Sequence, residues 1–552
     1  MKARATGVKV GVSLALCALV LAGCGGTSPN ASGALPATQI AARVASKHLQ
    51  RQLTLSPGTI DPAMNQDVAA YSITDDLFEG LVRLDAQGRV VPGVASRWET
   101  SADGLTWRFF LRPEALWSNG DAVTAQDFVF AWQRAVDPAT ASPNMMQFAP
   151  IAGAAAVLAG KAQRDALAVR AIDARTLEVK LAAPTPYFLY LLTNGWMMPL
   201  HGATVRQHQA AWTDPEHIVG NGAFVLRARA TNGPIELVRN ARYWDAAAVR
   251  LQAVTYHPLP DTAAATARFL TGDIDVAERF QMDDIQWLRA ALGAEQVRLD
   301  PAFATYLLAM KVRQAPFDDV RLRQALSMAV DRRLITDKLL GGWYEPASSM
   351  VPPLPGYEPM APEWAKLDDE ARHREARRLY AEAGYSAARP LRAQLWYPTS
   401  DADSRRLVEA MAAMWRMNLG ADVQPAGEEW KVFQQNREIG KHALFFYAYW
   451  GDYPDPLTFL NVPLPGGSYN MMQYDSAAYA RAVSDGMQAT DEPGRYARYR
   501  EAENILNRDA VFIPVYYYRT RHLVRSYVHG WSANAMDRHA SRDLYLAAEP
   551  AR

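Results

Sequence analysis

The sequence predicts an α/β protein, and two kinds of pattern carry that prediction. Short runs rich in β-branched and aromatic residues, bounded by Gly, Asp or Pro, recur along the chain and are typical of strands. In the C-terminal half, apolar residues spaced three and four apart predict amphipathic helices. Strands and helices mixed over several hundred residues indicate α/β lobes rather than a single-class fold.

The individual elements follow from these patterns. Strands are predicted at 105–111, 176–181, 235–238, 443–450 and 511–518. Helices are predicted at 321–340, 370–383 and 404–419. Asp318 and Asp319 are available to cap the first helix, and Gly384 and Gly420 can end the other two in left-handed turns.

The N-terminus predicts export. Lys2 and Arg4 precede an apolar run at 8–21, which is too short to cross a membrane comfortably. The run ends in Leu-Ala-Gly-Cys at 21–24, which resembles the bacterial lipobox, whose Cys is acylated and becomes the mature N-terminus. We therefore expect residues 1–23 to be a signal peptide and Cys24 to carry lipid. An ordinary signal peptide with a chance Cys is the alternative.

The cysteine count agrees with this expectation. Cys17 and Cys24 are the only two cysteines, and Cys17 would leave with the signal peptide, so no disulfide can form within the mature chain. Residues 24–47 are rich in Gly, Ser, Thr, Asn, Pro and Ala, which predicts a lipidated flexible tether.

Composition describes an ordinary globular body. Apolar content is 49%, charged content is 21% and the formal net charge is zero, so no basic field invites nucleic acid. The sequence has no second apolar segment long enough to predict a membrane span. The 15 Trp and 24 Tyr residues fit either large cores or apolar-walled pockets, and composition leaves both open.

A series of segments in chain order carries a family resemblance. They are Thr-Ile-Asp-Pro at 59–62, Asp-Leu-Phe-Glu-Gly-Leu at 76–81, Val-Pro-Gly-Val-Ala-Ser-Arg-Trp at 91–98, Trp-Ser-Asn-Gly at 117–120, Val-Thr-Ala-Gln-Asp-Phe at 123–128, Trp-Gln-Arg-Ala-Val-Asp-Pro at 132–138, Gly-Asn-Gly-Ala-Phe at 220–224, Pro-Phe-Asp-Asp-Val-Arg at 316–321 and Pro-Val-Tyr-Tyr-Tyr at 514–518. From about residue 55 to its C-terminus the chain resembles the family 5 solute-binding proteins of ABC transporters, and more closely the periplasmic oligopeptide-binding proteins of Gram-negative bacteria.

The resemblance implies a bilobal clamshell of the class II periplasmic-binding-protein type, with a third, smaller inserted domain. Lobe I would take residues 48–78, 203–304 and 519–552, the inserted domain 79–202, and lobe II 305–518. The implied protein is a monomeric periplasmic lipoprotein without cofactor or metal. It would pass oligopeptides to a permease and its ATPase subunits; cell-wall (murein) peptides are an alternative cargo.

Peptide capture needs an acid for the ammonium group, because an unpaired charge removed from water costs several kcal/mol. Asp452 follows an apolar strand, and the resemblance implies that it holds the ammonium. A purely turn-forming role is the alternative. Asp455 is the other acid nearby that could take the ammonium-binding role. Ala448, Trp450 and Val68 would contact the peptide backbone, with Tyr449 beside them. Ordinary lobe core is the alternative for this strand.

Capture of the carboxylate is the open part of the predicted site. Arg437 aligns with a family arginine that binds the peptide C-terminus or balances charge, and a solvated surface Arg is the alternative. The chain departs from the enteric pattern at Phe446, where a second arginine is expected, and at Asp403, where a histidine is expected. Preferred peptide length therefore stays open.

Enzyme chemistry finds no support in the sequence. It contains no His-Glu-x-x-His, no Gly-x-Ser-x-Gly and no Cys pair with metal-binding spacing. A secreted hydrolase is the alternative from a different class, and it would need a nucleophile or metal site that no motif in the sequence indicates.

Overall fold

The computed structural model describes residues 35–548, except positions 66, 232, 400–401, 468 and 490 and the side chains of residues 68, 402 and 403. The predicted signal peptide and the predicted lipid attachment at Cys24 lie outside the described residues.

Nineteen strands are described: β1 His48–Leu53, β2 Val82–Leu84, β3 Val90–Pro92, β4 Ala95–Thr100, β5 Thr106–Leu111, β6 Val169–Asp173, β7 Thr176–Lys180, β8 Phe224–Arg229, β9 Ile235–Arg239, β10 Ala253–Pro258, β11 Val276–Ala277, β12 Val297–Met310, β13 Glu345–Pro346, β14 Arg392–Pro398, β15 Asp422–Glu428, β16 Leu444–Trp450, β17 Phe512–Val524, β18 Val528–His529 and β19 Tyr545–Leu546.

Sixteen α-helices are described between them: α1 Ala37–Ser46, α2 Val68–Leu77, α3 Ala125–Val136, α4 Ala154–Leu158, α5 Phe188–Leu191, α6 Gly202–His208, α7 Thr262–Thr271, α8 Ile285–Leu292, α9 Val320–Met328, α10 Arg332–Leu334, α11 Asp369–Glu382, α12 Ala402–Leu419, α13 Trp430–Glu438, α14 Leu457–Leu460, α15 Ala477–Gln488 and α16 Glu492–Asp509. Short 3₁₀ turns and one π-helical turn, Ile335–Leu339, complete the set.

One large sheet runs through both lobes. Its strand order is β15-β14-β16-β12-β17-β11-β1-β10-β9-β8, with β13 paired to β17. The two long strands β12 and β17 pair antiparallel and connect the halves, and their register is irregular between Pro301 and Thr305.

The apolar core is divided accordingly. One core combines side chains from residues 49–256 with others from 524–546, and a second takes residues 303–516 together with Leu191. A small third core packs α7 and α8 against the start of β12. The molecule is therefore a bilobal α/β protein, as the sequence predicts.

A separate four-stranded sheet, β4-β5-β7-β6, belongs to the region of the predicted inserted domain. Helix α3 lies beside it and buries Phe128 and Trp132 in the first core. The predicted domain boundaries at 78/79, 202/203, 304/305 and 518/519 stay predictions; the last two fall within β12 and β17.

Two sequence predictions about helices need correction. The stretch 321–340 is not one helix, because α9 ends at Met328 and a second start follows at Asp331, whose side chain accepts from the Leu334 N–H. Buried Arg332 explains the break: its guanidinium donates to the carbonyls of Ser327, Val330, Ala347 and Pro514. These bonds satisfy a buried cation better than a continuous helix would.

The second correction concerns the predicted tether at 24–47. Residues 37–46 form α1, and Arg43 fastens this helix to lobe I by donating to the Gly272 carbonyl at 3.0 Å and pairing with Asp275 at 3.4 Å. Composition rich in small residues did not reveal these distant partners. A flexible tether is therefore wrong for residues 37–46.

The other element predictions are close. α11 and α12 match the predicted helices, and Gly384 and Gly420 follow them with φ of 88° and 70°. The predicted strands correspond to β5, β7, β9, β16 and β17, of which β17 continues beyond its predicted end. Within the described ranges no helix is both long and apolar enough to cross a membrane.

Candidate functional site

Strand β16 has one backbone edge that is free for pairing. Along its whole length it pairs with β12, from Leu444 opposite Met310 to Trp450 opposite Ala304. On its other side, the only β14 residue in register is Trp396, opposite Phe445. Beyond Phe445, no strand among the described residues occupies that edge. An exposed strand edge of this kind can accept an extended peptide as an added strand.

Asp452 lies directly beyond the end of this strand. The Tyr449 hydroxyl donates to its Oδ2 at 3.3 Å, and its own N–H donates to the Thr458 hydroxyl at 3.0 Å. Its side chain is exposed, in contrast to Tyr453, which follows it. The loop therefore holds the Asp452 backbone in place and leaves its carboxylate accessible.

The electrostatic surroundings of Asp452 disfavour its charge. Desolvation by the surrounding protein raises the pKa of Asp452, and the Tyr449 and Thr458 hydroxyls offset part of that effect. The residue is thus exposed at the surface while the protein around it still desolvates the carboxylate. In the part of the chain that the structure describes, no Lys, Arg or His lies within ion-pair distance of it. The carboxylate thus lacks a cation.

The neighbours of the Asp452 carboxylate are tyrosines. Burial and then the Asp452 charge raise the pKa of Tyr71 to about 12, and they also raise the pKa of Tyr469. Tyr71 belongs to α2 and packs against the first core, whereas the loop that carries Asp452 packs into the second core through Tyr453 and Leu457. The carboxylate therefore lies where the two cores approach each other, close enough to Tyr71 to raise its pKa.

The predicted backbone contacts lie on the open strand. Ala448 is half-buried opposite Tyr306, and Trp450 is 46% exposed and 5.4 Å from the Tyr518 ring. Tyr449 points to the other face, where its ring packs edge-on against Phe459 at 5.1 Å. Its ring belongs to the core, and its hydroxyl belongs to the site.

Val68 begins helix α2 on the opposite wall. The family resemblance predicts that Val68 lies in a segment lining the peptide, and the structure places it in the first turn of a helix. A first-turn N–H has no acceptor within its own helix, so this backbone position can still serve a ligand. Asp403 is the second residue of α12, and its side chain lies outside the described part.

Arg437 lies on α13, and within the described ranges it forms no ion pair with an acid. Its Cζ is 5.3 Å from the Tyr447 ring and 5.6 Å from the Phe433 ring, and its Nε is buried with no hydrogen-bond partner in the described structure. Burial lowers the pKa of Arg437, and Tyr447 and Glu438 partly counter this. The guanidinium is half-buried and not a freely solvated surface group.

Stacked rings link the two unpaired charges. Tyr447 and Tyr449 are parallel within 5° with centroids 6.2 Å apart, Arg437 lies over the first ring and Asp452 accepts from the second. Phe446 is only 7% exposed and packs against Tyr306 at 4.9 Å, so it is a wall residue. The arrangement offers an acid and a base at two ends of an aromatic surface.

Tyr71, Tyr447 and Tyr469 were not predicted as site residues from the sequence. The only signal available for them was the high tyrosine count, which does not say where a ring will lie. Asp452, Tyr449, Ala448 and Trp450 are contiguous in the chain, and the structure keeps them together. Arg437 joins them only through Tyr447.

Comparison with known proteins gives a consistent family. Residues 89–470 match the model of the bacterial extracellular solute-binding proteins, family 5 middle region. The periplasmic murein peptide-binding protein MppA of Escherichia coli is 36% identical over 544 residues, covering 98% of this chain and 99% of that protein. The periplasmic oligopeptide-binding protein OppA of Salmonella typhimurium is 37% identical over 493 residues, covering 88% and 90%.

A third relative carries a different ligand in its name. The probable deoxycholate-binding periplasmic protein YgiS of Escherichia coli is 36% identical over 496 residues, covering 89% of this chain and 92% of that protein. Overall identity therefore does not select the ligand.

Solved structures agree on the architecture. The unliganded open form of MppA superposes with a TM-score of 0.81 at 37% identity, covering 91% of this chain and 97% of that chain. Haemophilus influenzae OppA in complex with the peptide RPPGFSPFR gives 0.75 at 33% identity, covering 91% and 99%. With its bilobal fold and its family match over most of its length, the chain belongs to the family 5 bacterial extracellular solute-binding proteins, which are binding proteins and not enzymes.

Proposed function

We propose that this protein captures short peptides with a free amino terminus between its two lobes and delivers them to an ABC permease. One observation carries the proposal: the carboxylate of Asp452 is desolvated, has tyrosines around it and has no cation among the described residues. A ligand ammonium would supply the missing charge. Charge-assisted hydrogen bonds of this kind are about twice as strong as neutral ones.

The rest of the cleft supports an extended ligand. The free edge of β16 can pair with a peptide backbone, which gives affinity without selecting a sequence. Tyr71 of lobe I and Asp452 of lobe II approach the same point, so a ligand ammonium there would touch both lobes. Contacts made only in the closed form shift the equilibrium toward closure.

Arg437 is the proposed partner for a ligand carboxylate. It is half-buried, has no acid in ion-pair range within the described residues, and is joined to Asp452 through Tyr447 and Tyr449. Such a base could serve a peptide C-terminus or one of the carboxylates of a murein peptide. General oligopeptides and murein peptides both carry the amino group that Asp452 requires, and so both fit the proposal.

The names of the relatives span peptides, murein peptides and deoxycholate. Deoxycholate has a carboxylate and no amine, so it would leave Asp452 unneutralised. The unpaired acid in this cleft favours the two peptide classes over a bile acid.

The decisive experiment compares Asp452→Asn with the parent protein. We expect a free-amine tripeptide to lose about 100-fold in affinity, in line with the 2–5 kcal/mol cost of breaking a desolvated charge pair. N-acetylated tripeptide should bind both proteins equally weakly. Isothermal titration calorimetry gives the affinities.

Asp485→Asn, at an exposed position of α15, is the matched control and should bind like the parent. Unchanged free-amine affinity in Asp452→Asn would contradict the proposed site. A secreted hydrolase makes a different prediction: native mass spectrometry would find cleaved peptides, whereas a binding protein returns them intact.

Lipid anchoring at Cys24 and a periplasmic location complete the proposal. The basic start, the apolar run at 8–21 and the Leu-Ala-Gly-Cys sequence support it. Several acyl chains hold a protein firmly on a membrane, whereas a single chain binds marginally. Cys24→Ala should therefore release the protein from the membrane fraction, and the intact mass of the parent should include the lipid.

A further inference from the structure

A group of potential metal ligands lies apart from Asp452, at the lobe I end of β17. His522 is in β17, and Asp537 and His539 follow β18. One nitrogen from each histidine and one oxygen from Asp537 all lie within 4.8 Å of one another. The two imidazoles are nearly inaccessible, at 3% and 4% exposed, while Asp537 keeps 25% of its side chain open.

The distances between these atoms suit a shared ion. Nε2 of His522 is 2.8 Å from Oδ1 of Asp537, and Nε2 of His539 is 3.1 Å from the same oxygen. Two ligands that each lie about 2.1 Å from a metal, at right angles, are about 3 Å apart. A modest rotation of the carboxylate would therefore let all three groups reach one ion.

Groups behind the ligands would hold them in position. Nδ1 of His522 lies 3.4 Å from Oε2 of Glu278, and Glu278 is itself held by Arg51 at 3.0 Å. A carboxylate on the far nitrogen of a ligating histidine fixes the tautomer and orients the ring. The His539 ring stacks on Trp531, with centroids 3.7 Å apart and planes at 18°. Both imidazoles are thus oriented before any ion arrives.

We propose that His522, Asp537 and His539 form a binding site for a divalent transition-metal ion of the Zn²⁺, Ni²⁺ or Co²⁺ type. Two imidazole nitrogens with one carboxylate suit these ions and leave further coordination positions for water. Without metal, the two imidazoles donate N–H groups to Asp537, so metal binding must displace those protons.

The site borders the cleft. Arg538, which lies between two of the ligands in the chain, donates a hydrogen bond to Asp75 of α2 at 2.6 Å. Its charge also acts to lower the pKa of Tyr71. Asp537 has a φ of 52°, a left-handed conformation that is unusual for a residue other than Gly and directs its carboxylate between the two rings. The metal would therefore brace the lobe I wall that faces Asp452.

The test uses mature protein stripped with chelator and then equilibrated with ZnCl₂ or CoCl₂. We expect one equivalent of Zn²⁺ to survive buffer exchange, measured by elemental analysis. Co²⁺ should give the visible absorption of a site with nitrogen and oxygen ligands. Asp537→Asn and His539→Asn should each weaken Zn²⁺ binding at least 10-fold, with folding checked by circular dichroism.

The double variant His208→Asn/His217→Asn is the matched control, because these two rings also stack, at 3.8 Å, outside the proposed site. It should retain the full equivalent of Zn²⁺. Absence of stoichiometric binding by the parent, or equal loss in the control, would overturn the proposal. So would full retention of Zn²⁺ by folded Asp537→Asn and His539→Asn. Peptide affinity plays no part in this readout, so the result is independent of the proposed transport function.

Discussion

Two carboxylates on one short loop have opposite surroundings. Asp455 is buried, pairs with Arg495 at 3.1 Å and accepts the Leu457 N–H at the start of α14. Asp452, three residues earlier, is exposed to the cleft and has no cation within the described residues. Burial raises the pKa of both acids, and among the described residues only Asp455 has an arginine whose charge offsets part of that effect, whereas Asp452 lies ready for a partner from outside. On this loop, the acid without a cation is therefore the candidate for ligand binding, and the acid with an arginine partner is not.

The two arginines that correspond to these acids show the same division. Arg495 lies between Asp455 and Glu492, at 3.1 Å and 3.6 Å. The Arg437 guanidinium lies beside the Phe433 and Tyr447 rings, and among the described residues it forms no ion pair, although the charge of neighbouring Glu438 acts on it. Unpaired ionic groups are costly to bury, and a protein that keeps both an unpaired acid and an unpaired base along one surface fits a ligand carrying both charges.

The largest stability effect should come from the paired acid. Asp455→Asn leaves Arg495 buried with only Glu492 nearby, and breaking a buried pair costs about 3 kcal/mol of unfolding free energy. Peptide affinity of the folded fraction should not change. Urea unfolding and calorimetric titration measure the two quantities. Lost peptide affinity in a folded, stable variant would mean that Asp455, and not Asp452, is the binding acid.

Arg437→Gln should give the next largest effect, on binding. We expect about a 10-fold loss of affinity for a tripeptide with a free carboxyl end, equivalent to about 1.4 kcal/mol. The C-terminally amidated tripeptide should lose nothing. Arg405→Gln is the control, because Arg405 is an exposed arginine paired with Glu409 at 2.9 Å. Equal losses for both ligands would assign Arg437 a structural role only.

The loop that carries Asp452 and Asp455 shows most clearly how much of the site could be predicted from the sequence. Asp452 and its strand were predictable because they are contiguous and match a family pattern. The difference between Asp452 and Asp455 was only partly predictable, since it depends on Arg495, 40 positions further along. Contacts of this range, like Arg43 with Gly272 or Arg332 with Pro514, leave no local signal. They account for the predicted tether being wrong over residues 37–46 and for the predicted single helix at 321–340 being wrong.

The fold itself was more accessible than its site. Strands such as β5 and β7 follow from local composition, and the bilobal arrangement follows from the family resemblance. The aromatic wall was not accessible, because Tyr71 and Tyr469 meet Asp452 only after the lobes assemble. The group His522, Asp537 and His539 is likewise created by a chain reversal that no spacing motif describes.

Asp452→Asn should have a smaller effect on the ligand-free protein, and of opposite sign to Asp455→Asn. Because desolvation raises the folded-state pKa of Asp452, its ionised form costs stability at any pH above that pKa. Removing the charge should raise the unfolding free energy at pH 7 by less than about 1 kcal/mol, since solvent screens an exposed group. The gain should vanish as the pH falls below about 4, where the carboxyl is protonated in the unfolded chain as well as in the folded protein. Thermal unfolding at both pH values measures it, and a loss of stability at pH 7 would contradict an unpaired Asp452.

Tyr449→Phe should give the smallest effect and acts on the same carboxylate. The Tyr449 hydroxyl donates to Asp452 at 3.3 Å and lowers the pKa of that residue, so its removal should raise the pKa further. If peptide binding requires ionised Asp452, the pH at which affinity is half lost should move upward in this variant. On the alkaline side of that transition, affinity should change by less than about threefold, as expected for the loss of one long hydrogen bond. Titration of a free-amine tripeptide from pH 4 to pH 8 follows both quantities. A carboxylate that loses a hydrogen-bond donor becomes easier to protonate, so Tyr449→Phe should raise the pH of half-loss if Asp452 controls binding. A downward shift of that pH would mean that another acid controls binding.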